Sequence, residues 1–133
     1  MRFVDANIFM YAAGRDSPQR RPCQDFLRNI VGGAGPKVCT DAEVLQEILH
    51  RYRAIGVSDL GFRIFDSVVA LGIPILPVGA DEVSRARRLL QLWPALSTRD
   101  GVHLGVMEAH GFTEVASYDK DFDLVPWARR TEP

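Results

Sequence analysis

The chain has 133 residues, 47% hydrophobic and 25% charged, with 16 basic against 17 acidic groups and a formal net charge of −1. That profile excludes a disordered chain, and the lack of any apolar run near the roughly 18–20 residues of a bilayer span excludes a helical membrane protein. The length is that of one domain at about 100–200 residues each, so residues 1–133 are read as a single unit.

Arg2-Phe3-Val4 reads as a short buried strand, followed at once by Asp5-Ala6-Asn7 and an apolar turn from Ile8 to Ala13. Pro18 opens a helix carrying Phe26, Leu27, Ile30 and Val31, closed by Gly32-Gly33. Lys37-Val38-Cys39 forms a second strand. Thr40-Asp41-Ala42-Glu43 has the form of a capping box, with Thr40 at the N-cap and Glu43 at N3. The helix behind it runs through Val44, Leu45, Ile48, Leu49 and Tyr52 to Gly56, and Ser58 caps another through Phe62, Phe65 and Val69. Ile73 to Val78 is a β-rich run broken by Pro74 and Pro77; Asp81 begins a helix ending near Trp93-Pro94. Thr98-Arg99-Asp100 opens a helix that ends at His110-Gly111, Glu114 to Ser117 is a strand, and Trp127 to Thr131 a weaker one. This alternation predicts an α/β fold, a three-layer α/β/α sandwich around a mostly parallel sheet, with ligands at the carboxyl ends of its strands.

Cys23 and Cys39 match neither a CxxC spacing nor a disulfide framework, and the N-terminal stretch has an acid in its middle, unlike a secretory signal. A reducing cytoplasm is therefore the expected compartment. Near-zero charge gives no bulk attraction to nucleic acid, but every base except Lys37 and Lys120 is arginine, whose planar fork suits phosphate or carboxylate.

Four carboxylates stand where such a sheet would gather them: Asp5 just after the first strand, Asp119 two residues beyond the strand ending at Ser117, Asp100 in the first turn of one helix and Glu47 one turn inside another. Unshielded, they would repel and raise one another's pKa values; a hard divalent cation, Mg²⁺ or Mn²⁺, removes the conflict. Asp100 could instead serve its helix dipole, and Glu43 is accounted for as the capping partner of Thr40. The DxDxD run of Asp119, Asp121 and Asp123 fails as a calcium loop, because Leu124 and Arg130 occupy positions that need Gly and Glu. No P-loop, dinucleotide-binding turn or GxSxG elbow is present. His103 and His110 lie about 10 Å apart along one helix, too far for a histidine acid–base pair on one phosphate. His50 and His110 are read as structural, while His103, three residues after Asp100, is a possible partner of that acid.

Taken in order, VDANIFMYA, VLQEIL, STRDGVHLGVMEAHG and ASYDKDFD resemble the successive motifs of the PIN-domain family. Their spacing from Val4 to Phe122 is similar to that of the VapC-type toxins of bacterial type II toxin–antitoxin pairs. The resemblance implies metal-binding acids at Asp5, Glu47, Asp100 and Asp119, Asp123 as an additional ligand, and Asn7 and Ser117 as polar residues beside them. It also implies a Mg²⁺-dependent endoribonuclease, with Mn²⁺ as substitute, whose products carry a 5′-phosphate and a 3′-hydroxyl. The partners it implies are RNA, a second copy in a homodimer, and a cognate antitoxin. The antitoxin would lie in an apolar groove near the early helices, for which Phe9, Tyr11, Phe26, Phe62 and Phe65 are candidate lining. Arg15, Arg20, Arg21, Arg85, Arg87, Arg88 and Arg99 are candidates to guide the RNA backbone. Two positions depart from the family pattern: Ala6 stands where many relatives carry Thr or Ser, and Gly101 where Ala is usual, which should loosen that helix start. The competing readings are a non-catalytic module of the same fold that binds RNA or protein, and a structure-specific DNA nuclease.

Overall fold

The computed structural model describes residues 1–133 and realises the alternation as β1 (Arg2–Val4), α1 (Ala6–Ala13), α2 (Arg20–Val31), β2 (Val38–Asp41), α3 (Ala42–Ala54), α4 (Ser58–Ala70), β3 (Ile75–Leu76), α5 (Ala80–Leu92), α6 (Thr98–His110), β4 (Glu114–Ala116) and β5 (Arg129–Thr131), with a 3₁₀ turn at Lys120–Leu124. The strands are all parallel, in the order β3-β2-β1-β4-β5. Phe3, Val4, Cys39, Thr40, Val115 and Ala116 are buried, as expected of parallel strands covered on both faces. Strand order runs outward from β1 to β3 and then reverses to β4. Right-handed crossovers therefore put α1–α4 on one face of the sheet and α5–α6 on the other. The reversal opens a crevice between the carboxyl ends of β1 and β4, where such sheets hold ligands.

The capping of α3 is shifted by one residue from the sequence expectation. Thr40 still belongs to β2, and its hydroxyl donates to the Val4 carbonyl at 2.9 Å. Asp41 caps α3 instead, accepting from the Val44 amide at 2.9 Å. Ser58 is likewise already inside α4, behind Val57 at the cap position. Between Pro74 and Pro77 only Ile75 and Leu76 pair, because proline cannot donate to a ladder.

The second face rests on the close packing of α5 on α6. Glu108 of α6 receives Arg85 at 3.2 Å and also Arg88, so these two arginines tie helix to helix rather than facing a ligand. A Cβ at Gly105 would lie 2.4 Å from the Glu82 carbonyl oxygen, a backbone atom that cannot swing aside. At Gly101 it would meet side-chain atoms alone, Cγ and Cδ2 of Leu90 at 2.9 Å. The glycine there makes room for a side chain as well as loosening the helix start. Gly105→Ala is accordingly expected to cost about 1–3 kcal/mol through overpacking, read as a lower urea midpoint, whereas Gly101→Ala should change it far less.

Candidate active site

Asp5 leaves the end of β1 and caps α1. Its Oδ1 accepts the Ala6 amide at 2.7 Å, and its own amide still bonds Ala116 of the neighbouring strand at 3.1 Å. Oδ2 accepts the Ser117 hydroxyl at 2.6 Å and the Asn7 amide at 3.0 Å. The Ser117 oxygen in turn accepts from Asn7 at 3.0 Å and from the Asp119 backbone amide at 2.9 Å. Asn7 also accepts the Tyr118 amide at 3.3 Å. Asn7 and Ser117 thus lace the ends of β1 and β4 together and fix the Asp5 carboxylate between them.

Two clusters of ligand-type atoms flank this lacing, the members of each lying within 4.8 Å of one another: Asp5, Glu47 and His103 in one, Asp100, Asp119 and Asp121 in the other. Asp100 is presented by the first turn of α6, where the Ser97 hydroxyl accepts its amide at 3.1 Å. Asp119 caps the 3₁₀ turn, accepting the Asp121 amide at 2.9 Å. Asp123 is not in either group; the Arg130 guanidinium holds both its oxygens at 3.1 Å. Arg99 stands at the rim, 3.7 Å from Glu43 and 3.9 Å from Glu47.

The electrostatics are those of crowded anions. Burial pushes the Asp5 carboxyl above its ordinary value, against the pull of His103 and the Ser117 hydroxyl. Asp100 is driven up to about 7, first by burial and then by the charges of Asp5 and Asp119. Its Oδ2 is buried and hydrogen-bonded to nothing. Buried carboxylates with an unpaired oxygen carry an energetic penalty unless a proton or a cation takes it up. The donor set therefore fits a divalent cation, with carboxylate oxygen the dominant ligand.

His103 and Asp41 extend the site beyond the acids expected from the sequence. His103 does not pair with Asp100. Its Nδ1 lies 2.8 Å from Asp41 Oδ2, and its Nε2 faces Asp5 Oδ1 at 3.8 Å and Glu47 Oε2 at 3.7 Å. Burial disfavours the charged imidazole, but Asp41, Glu47 and Asp5 outweigh it and hold the pKa well above the usual value. One signal could have revealed Asp41: like Asp5, it ends a strand of the parallel sheet at its ligand-bearing edge.

Apart from the acids, Phe9, Ala13, Leu27, Ile64, Val68 and Leu71 line an apolar hollow of about 210 Å³ between α1, α2 and α4. Of the aromatic residues expected there, Phe9 lines it, whereas Tyr11 packs edge-on against Tyr118 and Phe62 is exposed.

Comparison with known proteins gives a consistent result. Residues 2–128 match the PIN domain family. The chain is 38% identical over 130 residues to a Mycobacterium tuberculosis protein named Ribonuclease VapC13, covering 98% of each. Its fold superposes on the crystal structure of M. tuberculosis VapC20, described as a Sarcin-Ricin loop cleaving toxin, with TM-score 0.76 and 16% identity over 93% of this chain and 94% of that one. It likewise superposes on a chain of a toxin–antitoxin complex from Klebsiella pneumoniae, with TM-score 0.67 and 18% identity over 97% and 96%.

Proposed function

The chain belongs to the PIN-domain family, and on that premise we propose that it is a VapC-type ribonuclease, the toxin of a toxin–antitoxin pair. It hydrolyses RNA phosphodiesters at the carboxylate site, with Mg²⁺, or Mn²⁺ in its place, as the cation. What supports the reading is the gathering of side chains from separate elements into two groups, Asp5 with Glu47 and His103, and Asp100 with Asp119 and Asp121, together with a buried Asp100 oxygen that no protein group satisfies.

In this reading Asp5, Glu47, Asp100 and Asp119 hold the cation, with Asp121 adjoining and Asp123 held apart by Arg130. A divalent cation bound there supplies Lewis-acid activation of water and neutralises charge on the scissile phosphate. Ser117 and Asn7 keep the Asp5 carboxylate in one orientation, so the site needs little rearrangement when substrate arrives. Arg99 stands beside the site acids Glu43 and Glu47, where it can meet an RNA phosphate, whereas Arg85 and Arg88 join α5 to α6 through Glu108. The apolar hollow on α1, α2 and α4 supports a groove that takes an apolar segment of the antitoxin.

Incubation of the chain with single-stranded RNA and Mn²⁺ should give metal-dependent cleavage that chelator abolishes. Matching single-stranded DNA should stay intact. Intact RNA under every condition at high protein concentration would favour the non-catalytic module, and cleavage of DNA in preference to RNA the DNA-nuclease reading.

A further inference from the structure

His103 has no exposed surface, and its Nε2 is hydrogen-bonded to nothing. A buried polar nitrogen without a partner is costly, and it persists where something else occupies its direction. The ring cannot turn to find another partner. Asp41 Oδ2 holds Nδ1 at 2.8 Å, while Asp41 Oδ1 is itself fixed by the Val44 amide at 2.9 Å. The Phe3 ring packs against the imidazole, with centroids 5.1 Å apart. The remaining direction points at Asp5 Oδ1 and Glu47 Oε2, 3.8 and 3.7 Å away. Those separations exceed hydrogen-bond reach. They fit donors sharing one ion, since ligands about 2.0–2.2 Å from a metal stand roughly 3–4 Å apart.

Resting on the reading that these acids hold a cation, we infer that His103 releases its Nε2 proton to solvent when the cation binds and becomes a nitrogen ligand, which makes Asp5, Glu47 and His103 a mixed carboxylate–imidazole centre selective for Mn²⁺ over Mg²⁺. Asp41 is its positioning residue. A ligating histidine ordinarily gives its second ring nitrogen to a carboxylate, which fixes tautomer and ring orientation, and Asp41 stands in that relation to His103. Exchanging one oxygen donor for imidazole moves preference away from Mg²⁺ toward transition metals. The neighbouring Asp100, Asp119 and Asp121 group offers oxygen alone, so the two halves of the site differ in the ion they favour.

The test is pulsed electron paramagnetic resonance on the intact chain, stripped of metal and then loaded with less than one equivalent of Mn²⁺. The expected spectrum carries the nitrogen hyperfine coupling of a directly bound imidazole, and His103→Gln removes that coupling. Titration calorimetry should show the Mn²⁺-to-Mg²⁺ affinity ratio falling about tenfold in His103→Gln. Asp41→Asn, which keeps an acceptor for the Val44 amide, should weaken Mn²⁺ binding about 10–100-fold. Bound Mn²⁺ without nitrogen coupling in the wild-type chain would overturn the assignment while leaving the acid site standing, and that spectrum needs no variant to fold. No bound Mn²⁺ at all would overturn both. A variant that loses stability but keeps the wild-type ion preference would reduce His103 to a structural part.

Discussion

RNA cleavage by Asp5→Ala is expected to fall at least about a hundredfold below that of the wild-type chain at saturating Mn²⁺. Asp5 stands at the junction of the two ligand clusters. It belongs to the group with Glu47 and His103, and its charge also bears on Asp100 in the other. Truncation removes a carboxylate from the cation and leaves the Ser117 hydroxyl and Asn7 amide without the acceptor they converge on. The fold should survive. Loss of the α1 cap costs about 1 kcal/mol, and removal of a buried, crowded negative charge works in the opposite direction. Initial rates on a labelled single-stranded RNA, with urea unfolding of the same preparation, separate lost chemistry from lost structure. A folded variant that retains more than a tenth of the wild-type rate would remove Asp5 from the catalytic centre.

Asp100→Asn should separate stability from function. A carboxyl whose folded pKa lies above its ordinary 3.8 contributes stability that is complete below that value and is lost as pH rises through the folded value, here about 7. Metal-free wild-type protein is therefore expected to be less stable at pH 8 than at pH 5. The raised Asp5 and His103 pKa values act with the same sign. A tenfold change in proton affinity corresponds to about 1.4 kcal/mol. Allowing for relaxation around the charge, Asp100→Asn should gain on the order of 2 kcal/mol at pH 8 in chelator. At pH 5 it should gain much less. The same variant should lose cleavage about a hundredfold or more, because the amide gives up the charge the cation needs. Urea unfolding at the two pH values checks the first half and initial rates the second. A variant destabilised at pH 8 would show that the Asp100 carboxylate is satisfied by its surroundings after all.

The residues legible from sequence were those whose place follows from local pattern. Asp5 and Asp119 follow strands, and in a parallel sheet that fixes the edge they occupy before any tertiary contact is known. Asp100 was legible because Thr98-Arg99-Asp100 opens a helix, although its charge conflict depends on Asp5 and Asp119 arriving from elsewhere. Asp41 was hidden by a one-residue ambiguity. Thr40 and Asp41 are both good N-caps, and the choice is tertiary: the Thr40 hydroxyl is taken by the Val4 carbonyl of β1, which leaves Asp41 to accept the Val44 amide. His103 was legible as a candidate, but beside Asp100; its actual partner was hidden by distance, since Asp41 lies 62 residues away in the chain. The spacing of Asp119, Asp121 and Asp123 could not say which acids stand beside Asp100. That choice is made by the 3₁₀ turn and by Arg130 of β5, which takes Asp123 for itself. Glu108 settles Arg85 and Arg88 in the same way, through a helix pairing that sequence periodicity does not specify.

That these side chains form a shared site for a hard cation is tested by thermal unfolding at pH 8 of the chelator-stripped chain, with Mg²⁺ or Mn²⁺ then added in steps. The wild-type Tm should climb with concentration, corresponding to about 2.7 kcal/mol when the ion reaches a hundred times its Kd, and Asp5→Ala should lose the rise. A wild-type Tm unmoved by millimolar Mg²⁺ and Mn²⁺, or an equal climb in Asp5→Ala, would contradict it.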